Sequence, residues 1–436
     1  MDLRDSRCLA QRLSRLAWLN GRRTWLAQKL AEGGRSGPAA VQPAPQAAVP
    51  ILAQPLVATA PPLFRVLPIA DRHGFSGDVL RSELIDRLVR FRELNLIDDD
   101  RHDATAPVLA VVGVISERAE GLPCLNVRLI RSPPHEVLWA ETALLDASMS
   151  DQLDRIAGRA ASFSVLEDWP DTEAIIAASG RFYARFVRAR MMALAPESYR
   201  DARTAEAELR ELMVIQPRFA FAPLALSRLL NTDYGYTRAW SSGPDQRREA
   251  LVLARRALDF DRTLSASWLH VGFCLLRQRE WGAAALHIEE GAKLNPFDHT
   301  KLNIVATAWL YMGETERSEM ILQKSLTMMR GASNEYLHDL GLLRLVQGRA
   351  AEAHDALQSL SRPLLFTPVL AAVAACKAGR DPRGAVAATR AALAPIFPGQ
   401  TAPDRTAIRE WFLSHLSFRD AATRLMIKQG IEQAFA

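Results

Sequence analysis

Two rhythms of apolar and polar positions run along this chain, and the change between them falls near residue 149. Before it, the apolar runs are short. Residues 64–69 (FRVLPI) predict a buried strand, and Gly77-Asp78 opens a helix whose apolar stripe is Val79, Leu80, Leu84, Ile85, Leu88 and Val89. Further strands are predicted over 94–97, 108–117, 122–130 and 137–142, and in the 122–130 strand Leu125, Val127 and Leu129 share one face by the two-residue period. Glu117 to Gly121 has the length and the glycine of a hairpin turn. Asp98, Asp99 and Asp100 read as a solvated strand end, because a cation site needs oxygens that converge in space. The order β-α-β-β-β-β predicts a small mixed-sheet α/β domain over residues 63–148.

After residue 149 the period becomes helical and then repeats on a larger scale. With Pro217, Arg262 and Pro296 as closing positions of successive units, the small residues Ala250, Ala284 and Ser318 are spaced by 34. Trp268 and Leu302 are also 34 apart, with Gly272 and Ala306 four residues after each. Arg279-Glu-Trp-Gly and Gly313-Glu-Thr-Glu fall at the turns between paired helices. Small side chains let helices A and B of one hairpin approach closely, and Trp268, Leu302 and Leu337 are expected to fill the space between hairpins. One hairpin cannot bury its own apolar face, so hairpins must stack. The 34-residue period is that of tetratricopeptide-type hairpins, and about five units are expected between 181 and 392, with an insertion at 232–245. The expected fold class is therefore α+β: the α/β domain, then an all-α helical-hairpin solenoid over 149–436.

The first 62 residues differ from both parts. Residues 1–35 are expected to form a basic amphipathic helical arm, with Leu9, Leu13, Leu16 and Leu19 on one face. The arm holds eight Lys or Arg against three Asp or Glu, so the +5 charge of the whole chain resides in it. A nucleic-acid-binding body would spread its basic excess over a folded face, so nucleic acid is a partner only through this arm. Residues 36–62 are a Pro/Ala-rich linker, too dense in proline for a helix or a central strand. Hydrophobic residues make up 49 % of the chain, enough for a buried core. No apolar run approaches the ~20 residues that cross a bilayer, and no apolar stretch ahead of a cleavage site marks a signal peptide. The expectation is a soluble, cytoplasmic protein. Cys8, Cys124, Cys274 and Cys376 are too scattered for a disulfide framework or a zinc site.

The residues of the α/β part carry a resemblance. Leu67, Pro68, Ser76, Gly77, Asp78, Glu83, Leu84 and Ile85, then Leu138, Trp139, Ala140 and Glu141, resemble the TolB amino-terminal-like domain. In that family a Leu-Pro-Phe strand leads through Ser-Gly-Asp into a Leu-x-x-Glu-Leu-Ile helix, and a later hairpin ends His-Leu-Trp-Ala-Glu. Tetratricopeptide repeats after such a domain resemble the C-terminal part of bacterial winged-helix transcriptional regulators and of class III adenylate cyclases. The likeness covers residues 64 to about 395. The family has a second helix before its third strand, for which 101–107 is too short here. Only 63 residues precede Phe64, fewer than the ~100 of an effector domain, so the expectation is a sensory module acting alone or a truncated or split regulator.

The sequence holds no GxxxxGK[ST], GxGxxG, HExxH or GxSxG segment. His287 and Glu290 share a helix face without a third ligand, and Ser76-Gly77-Asp78 reads as a helix N-cap in which Ser76 or Asp78 accepts backbone N–H bonds. No catalytic residue, metal site or cofactor is expected. The function implied is a non-enzymatic protein-interaction or sensory module of bacterial signalling or transcriptional control. Arg228, Asn231, Asn303, Thr307 and Tyr311 are the groove residues expected to meet a protein partner. The alternatives are the regulatory part of a split or truncated adenylate cyclase, and a regulator binding DNA through its arm. Limited proteolysis should cut within 36–62, and the fragment that starts after the linker should keep the melting temperature of the full chain. A fragment that unfolds would mean that Leu9, Leu13, Leu16 and Leu19 dock on the body.

Overall fold

The computed structural model describes residues 63–71, 74, 76–97, 108–117, 122–132, 136–146, 148–162, 172–194, 196, 198–231, 243–328, 332–394, 397 and 403–436. The basic arm, the linker, the aspartates 98–100 and most of the insertion at 232–245 lie outside these residues.

The first element pairs are β1 (Leu63–Val66), β2 (Ala70–Asp71), α1 (Gly77–Leu88) and β3 (Asn95–Ile97), followed by β4 (Val108–Glu117), β5 (Pro123–Ser132), β6 (Glu136–Leu144) and α2 (Met149–Ser162). The sheet order is β3-β1-β4-β5-β6, with β2 beside β4. β1 runs parallel to β3 and β4, and β4, β5 and β6 form an antiparallel meander, so the sheet is mixed. One strand was expected over 64–69; two form. Pro68 has no N–H to give a ladder, so β1 stops at Val66 and pairing resumes when Ala70 and Asp71 meet Val114 and Ile115.

One face of the sheet is apolar. Phe64, Val111, Ile115, Leu125, Val127, Leu129 and Trp139 are each at most 2 % exposed, and α1 covers them with Leu80, Leu84 and Leu88, spaced by four along one line of the helix. Val79 and Val89 fall off that line and are 54 % and 49 % exposed, so the packed stripe is narrower than expected. The cap of α1 also differs from expectation. Ser76 takes φ +66° with no side-chain cap bond; the carboxylate of Asp71 instead accepts from the N–H groups of Gly77, at 3.3 Å, and Gly74, at 2.9 Å. Gly77 is required there, since a Cβ would sit 2.4 Å from the Ile69 carbonyl oxygen.

α2 packs on α1 and β6 and continues the α/β body to residue 162. Arg87 ties the two helices together, donating to Asp154 at 2.7 Å and Ser150 at 3.0 Å.

Among the described residues six helical hairpins follow: α3 (Thr172–Leu194) with α4 (Tyr199–Ile215), α5 (Phe221–Leu230) with α6 (Pro244–Phe260), and α7 (Ser265–Arg277) with α8 (Trp281–Leu294). Then come α9 (His299–Met312) with α10 (Thr315–Met328), α11 (Asn334–Val346) with α12 (Ala350–Gln358), and α13 (Thr367–Lys377) with α14 (Arg383–Leu393). A last pair, α15 (Arg405–His415) and α16 (Ala421–Ala434), folds back so that α16 packs on α13. The count exceeds the five units read from sequence because the outer hairpins lack the 34-residue marker residues.

Within a hairpin the small residues do what their size allows. A Cβ on Gly272 would lie 2.8 Å from Ile288, and one on Gly341 would lie 2.5 Å from Leu357. Ala250, Ala284 and Ala353 are fully buried at the matching helix B position, and Ser318 there donates to the Ala306 carbonyl at 2.8 Å. Four turns share one geometry: Arg279, Gly313, Gly348 and Gly379 take φ of +64°, +91°, +77° and +68°. The N–H after each bonds back five residues, as from Glu280 to Leu275 and from Glu314 to Trp309, both at 2.9 Å, satisfying a free helix carbonyl. Trp268 is not the expected filler between hairpins. It is half-buried, stacks on His287 at 5.5 Å and donates from Nε1 to the Arg262 carbonyl at 2.8 Å, while its neighbour Leu269 is buried.

Leu84→Asp would bury an unpaired carboxylate between α1 and the sheet, and should destabilise the protein by on the order of 3–5 kcal/mol. Urea unfolding that matches the parent would contradict the packing of α1 on the sheet.

Candidate functional site

Each helix A touches the next, from α3 through α13, whereas the helices B splay apart, so the stack curves with helices A on its inner side. The face they present there is set by helical spacing. α3 contributes Tyr183, Phe186, Arg190 and Leu194; α5 contributes Phe221, Leu224 and Arg228; α7 contributes Ala266, Leu269 and His270; and α9 contributes Thr300, Lys301 and Ile304.

The α/β body closes this face at one edge. The guanidinium groups of Arg87 and Arg90 lie 5.8 and 5.6 Å from the Phe297 ring centroid, and Arg159 donates to the Met328 carbonyl at 3.1 Å. Gly158 comes so near the solenoid that a Cβ would be 2.5 Å from the Phe297 carbonyl oxygen. Between Phe91, Glu93 and Leu94 of the α/β body and the inner helices lies a cavity of about 340 Å³.

Lys301 is the junction of the two bodies. Its ammonium donates to Glu93 at 2.8 Å and to Asp298 at 2.6 Å. Burial acts to raise the Asp298 carboxyl, but the adjacent Lys301 overrides it and holds the group at about 2. Burial alone would depress Lys301; Asp298 and Glu93 lift it above its usual value. Both acids of the cavity wall are therefore committed to one lysine. His270 sits beside them with Nδ1 2.8 Å from the Ala266 carbonyl, and burial together with the positive charges of Arg228, Lys301 and Arg190 holds it at about 4, so it is neutral at pH 7. Burial raises the Tyr183 hydroxyl, which stays protonated.

The residues expected in the groove separate into four groups. Arg228 is exposed and borders the cavity. Asn231 closes the C-terminus of α5. Asn303 and Thr307 donate to Asp339 of α11, each at 2.7 Å, inside the inner face. Burial pushes the Asp339 carboxyl up to about 7, against the two hydrogen bonds. Tyr311 is 2 % exposed, lies edge-on to Phe418 at 4.9 Å and accepts from the Arg419 N–H at 2.8 Å through its carbonyl. The segment between α15 and α16 thus covers the opposite edge of the inner face, and Arg277 bonds the His415 carbonyl beside it. Sequence reasoning missed Tyr183, Arg190, His270 and Lys301, which come from different hairpins and carry no common motif.

Among the described residues no group of His, Cys, Asp and Glu could hold a metal ion, and no helix is long and apolar enough to cross a membrane. His287 stacks on Trp268, and Glu290 pairs with Lys293 at 2.8 Å.

No protein-family model matches the sequence, and no curated protein matches it. Among solved structures, that of Pseudomonas aeruginosa PilF is similar over 50 % of this chain and 93 % of its own, at 17 % identity and a TM-score of 0.35. The APC/C hetero-tetramer Cut9–Hcn1 is similar over 66 % of this chain, at 14 % identity and a TM-score of 0.41, and the match spans 56 % of that chain. The class follows from this chain's own geometry: stacked hairpins with small residues and left-handed turns recurring at matched positions define a tetratricopeptide-type helical solenoid, joined to a small mixed-sheet α/β domain.

Asp339 yields a pH dependence. Its carboxyl holds a proton in the folded state up to about pH 7, against an ordinary value of 3.8. The stability this proton confers is present in full below the unfolded value and is lost as pH rises through 7. Asp339→Asn should remove that slope, so urea midpoints of parent and variant should diverge between pH 4 and 7 and run parallel above. Parallel midpoints throughout would show that Asp339 is ionised when folded.

Proposed function

We propose that this chain is a non-catalytic protein-binding scaffold of bacterial signalling or transcriptional control, and that its partner docks on the outer face of the solenoid. The observation that carries this reading is a row of three apolar side chains at one repeat position. Val252, Leu286 and Met320, on α6, α8 and α10, are 64 %, 65 % and 64 % exposed and spaced by 34. A single exposed apolar residue is ordinary. The same position is exposed on three successive helices B, and an apolar position that recurs in this way points to an interaction surface.

The inner groove supports the reading less well. Asn303 and Thr307 are bonded to Asp339, and Tyr311 is covered by Phe418. The assignment to signalling or transcription rests on the resemblance of residues 64–141 to a TolB amino-terminal-like domain followed by tetratricopeptide repeats. In this reading the chain binds and presents, and performs no chemistry of its own.

The triple variant Val252→Glu, Leu286→Glu, Met320→Glu tests it. All three positions are mostly solvated, so helicity and melting temperature should stay at parental values. Proteins retained from the native cell by the parent should be lost by the variant; an unchanged retained set would overturn the outer-face assignment.

A further inference from the structure

We propose that the cavity between the inner helices and the α/β body binds a small organic carboxylate with an apolar body. This inference stands apart from the scaffold reading, since its test needs no protein partner.

The cavity, at about 340 Å³, falls within the range of ligand pockets, which are mostly apolar with a few placed polar groups. Its apolar walls come from Phe91, Phe186, Phe221, Leu224, Leu269 and Ile304. The polar groups are unevenly charged. Arg190, Arg228 and Lys301 all line the space, against the acids Glu93 and Asp298. Lys301 engages both acids, at 2.8 and 2.6 Å. Arg190 is half-buried at the cavity wall, and no carboxylate among the described residues pairs with it. Its charge reaches Tyr183 and His270, both of which also line the cavity.

A half-buried guanidinium without an acid is a vacancy for an anion, because a carboxylate offers two oxygens to its planar fork. Tyr183 adds a hydroxyl donor that burial keeps protonated. A neutral ligand of the same shape would fill the apolar walls but leave Arg190 desolvated and unpaired, so the site discriminates by charge as well as by size.

Calorimetric titration of the full chain tests this with benzoate, 2-naphthoate and octanoate, each beside its neutral amide. At least one acid should bind saturably and at least tenfold more tightly than its amide. Arg190→Gln should weaken that acid at least tenfold, Arg190→Lys should weaken it less, and Arg188→Gln on the exposed side of α3 should leave it unchanged. Thermal melting of each variant establishes that it is folded, and the bound acid should raise the parental melting temperature. Should Arg190→Gln fail to fold, the acid-to-amide ratio of the parent and the Arg190→Lys variant decide. The proposal is overturned if no acid binds saturably up to millimolar concentration, if acids and amides bind alike, or if folded Arg190→Gln binds as the parent does.

Discussion

At Gly272 and Gly341 a helix A backbone meets a helix B side chain with no space for one further carbon. That close approach sets the pitch of the array. It lets Ile288 and Leu357 pack into the facing backbone, and it brings successive helices A into contact while helices B diverge. The curvature that follows makes an inner face, and the inner face makes the cavity. The left-handed turns at Arg279, Gly313, Gly348 and Gly379 serve the same end by reversing the chain within two residues. Arg279 meets this geometry without being glycine, at a backbone cost on the order of 1 kcal/mol.

The two bodies are held by a different kind of contact. A buried lysine between two carboxylates contributes little net stability, because desolvation offsets the attraction. What it supplies is position. Lys301 can satisfy Glu93 and Asp298 together in one arrangement of the α/β body against α9. The arginines over Phe297 and the contact of Gly158 with the Phe297 carbonyl add the apolar burial and steric fit that make this arrangement stable.

Much of the fold was legible where one residue type repeats under one constraint. β5 shows its two-residue alternation, and the 34-residue spacing of Ala250, Ala284 and Ser318 identifies the hairpins because only small side chains fit there. Reading failed where the partner is distant in sequence. The cap of α1 comes from Asp71, six residues before Gly77, after a turn that propensity does not foretell. Trp268 looked like the filler because it is large, yet Leu269, one position on, is the residue turned inward. The cavity was the least legible part. Tyr183, Arg190, His270 and Lys301 converge only because the array curves and the α/β body lies across it.

The solenoid is fastened to itself at both ends. The α/β body grips the loops before α9 and after α10, and the chain between α15 and α16 grips α7 and α9 through His415, Phe418 and Arg419. An open array of repeats resembles a zipper: its terminal units fray first, and its stability is a sum of neighbouring pairs. Here the segments that flank the array on either side are clasped to its middle hairpins, which opposes fraying from the ends. These contacts, distant in sequence, make the array slower to assemble than an open stack of equal length.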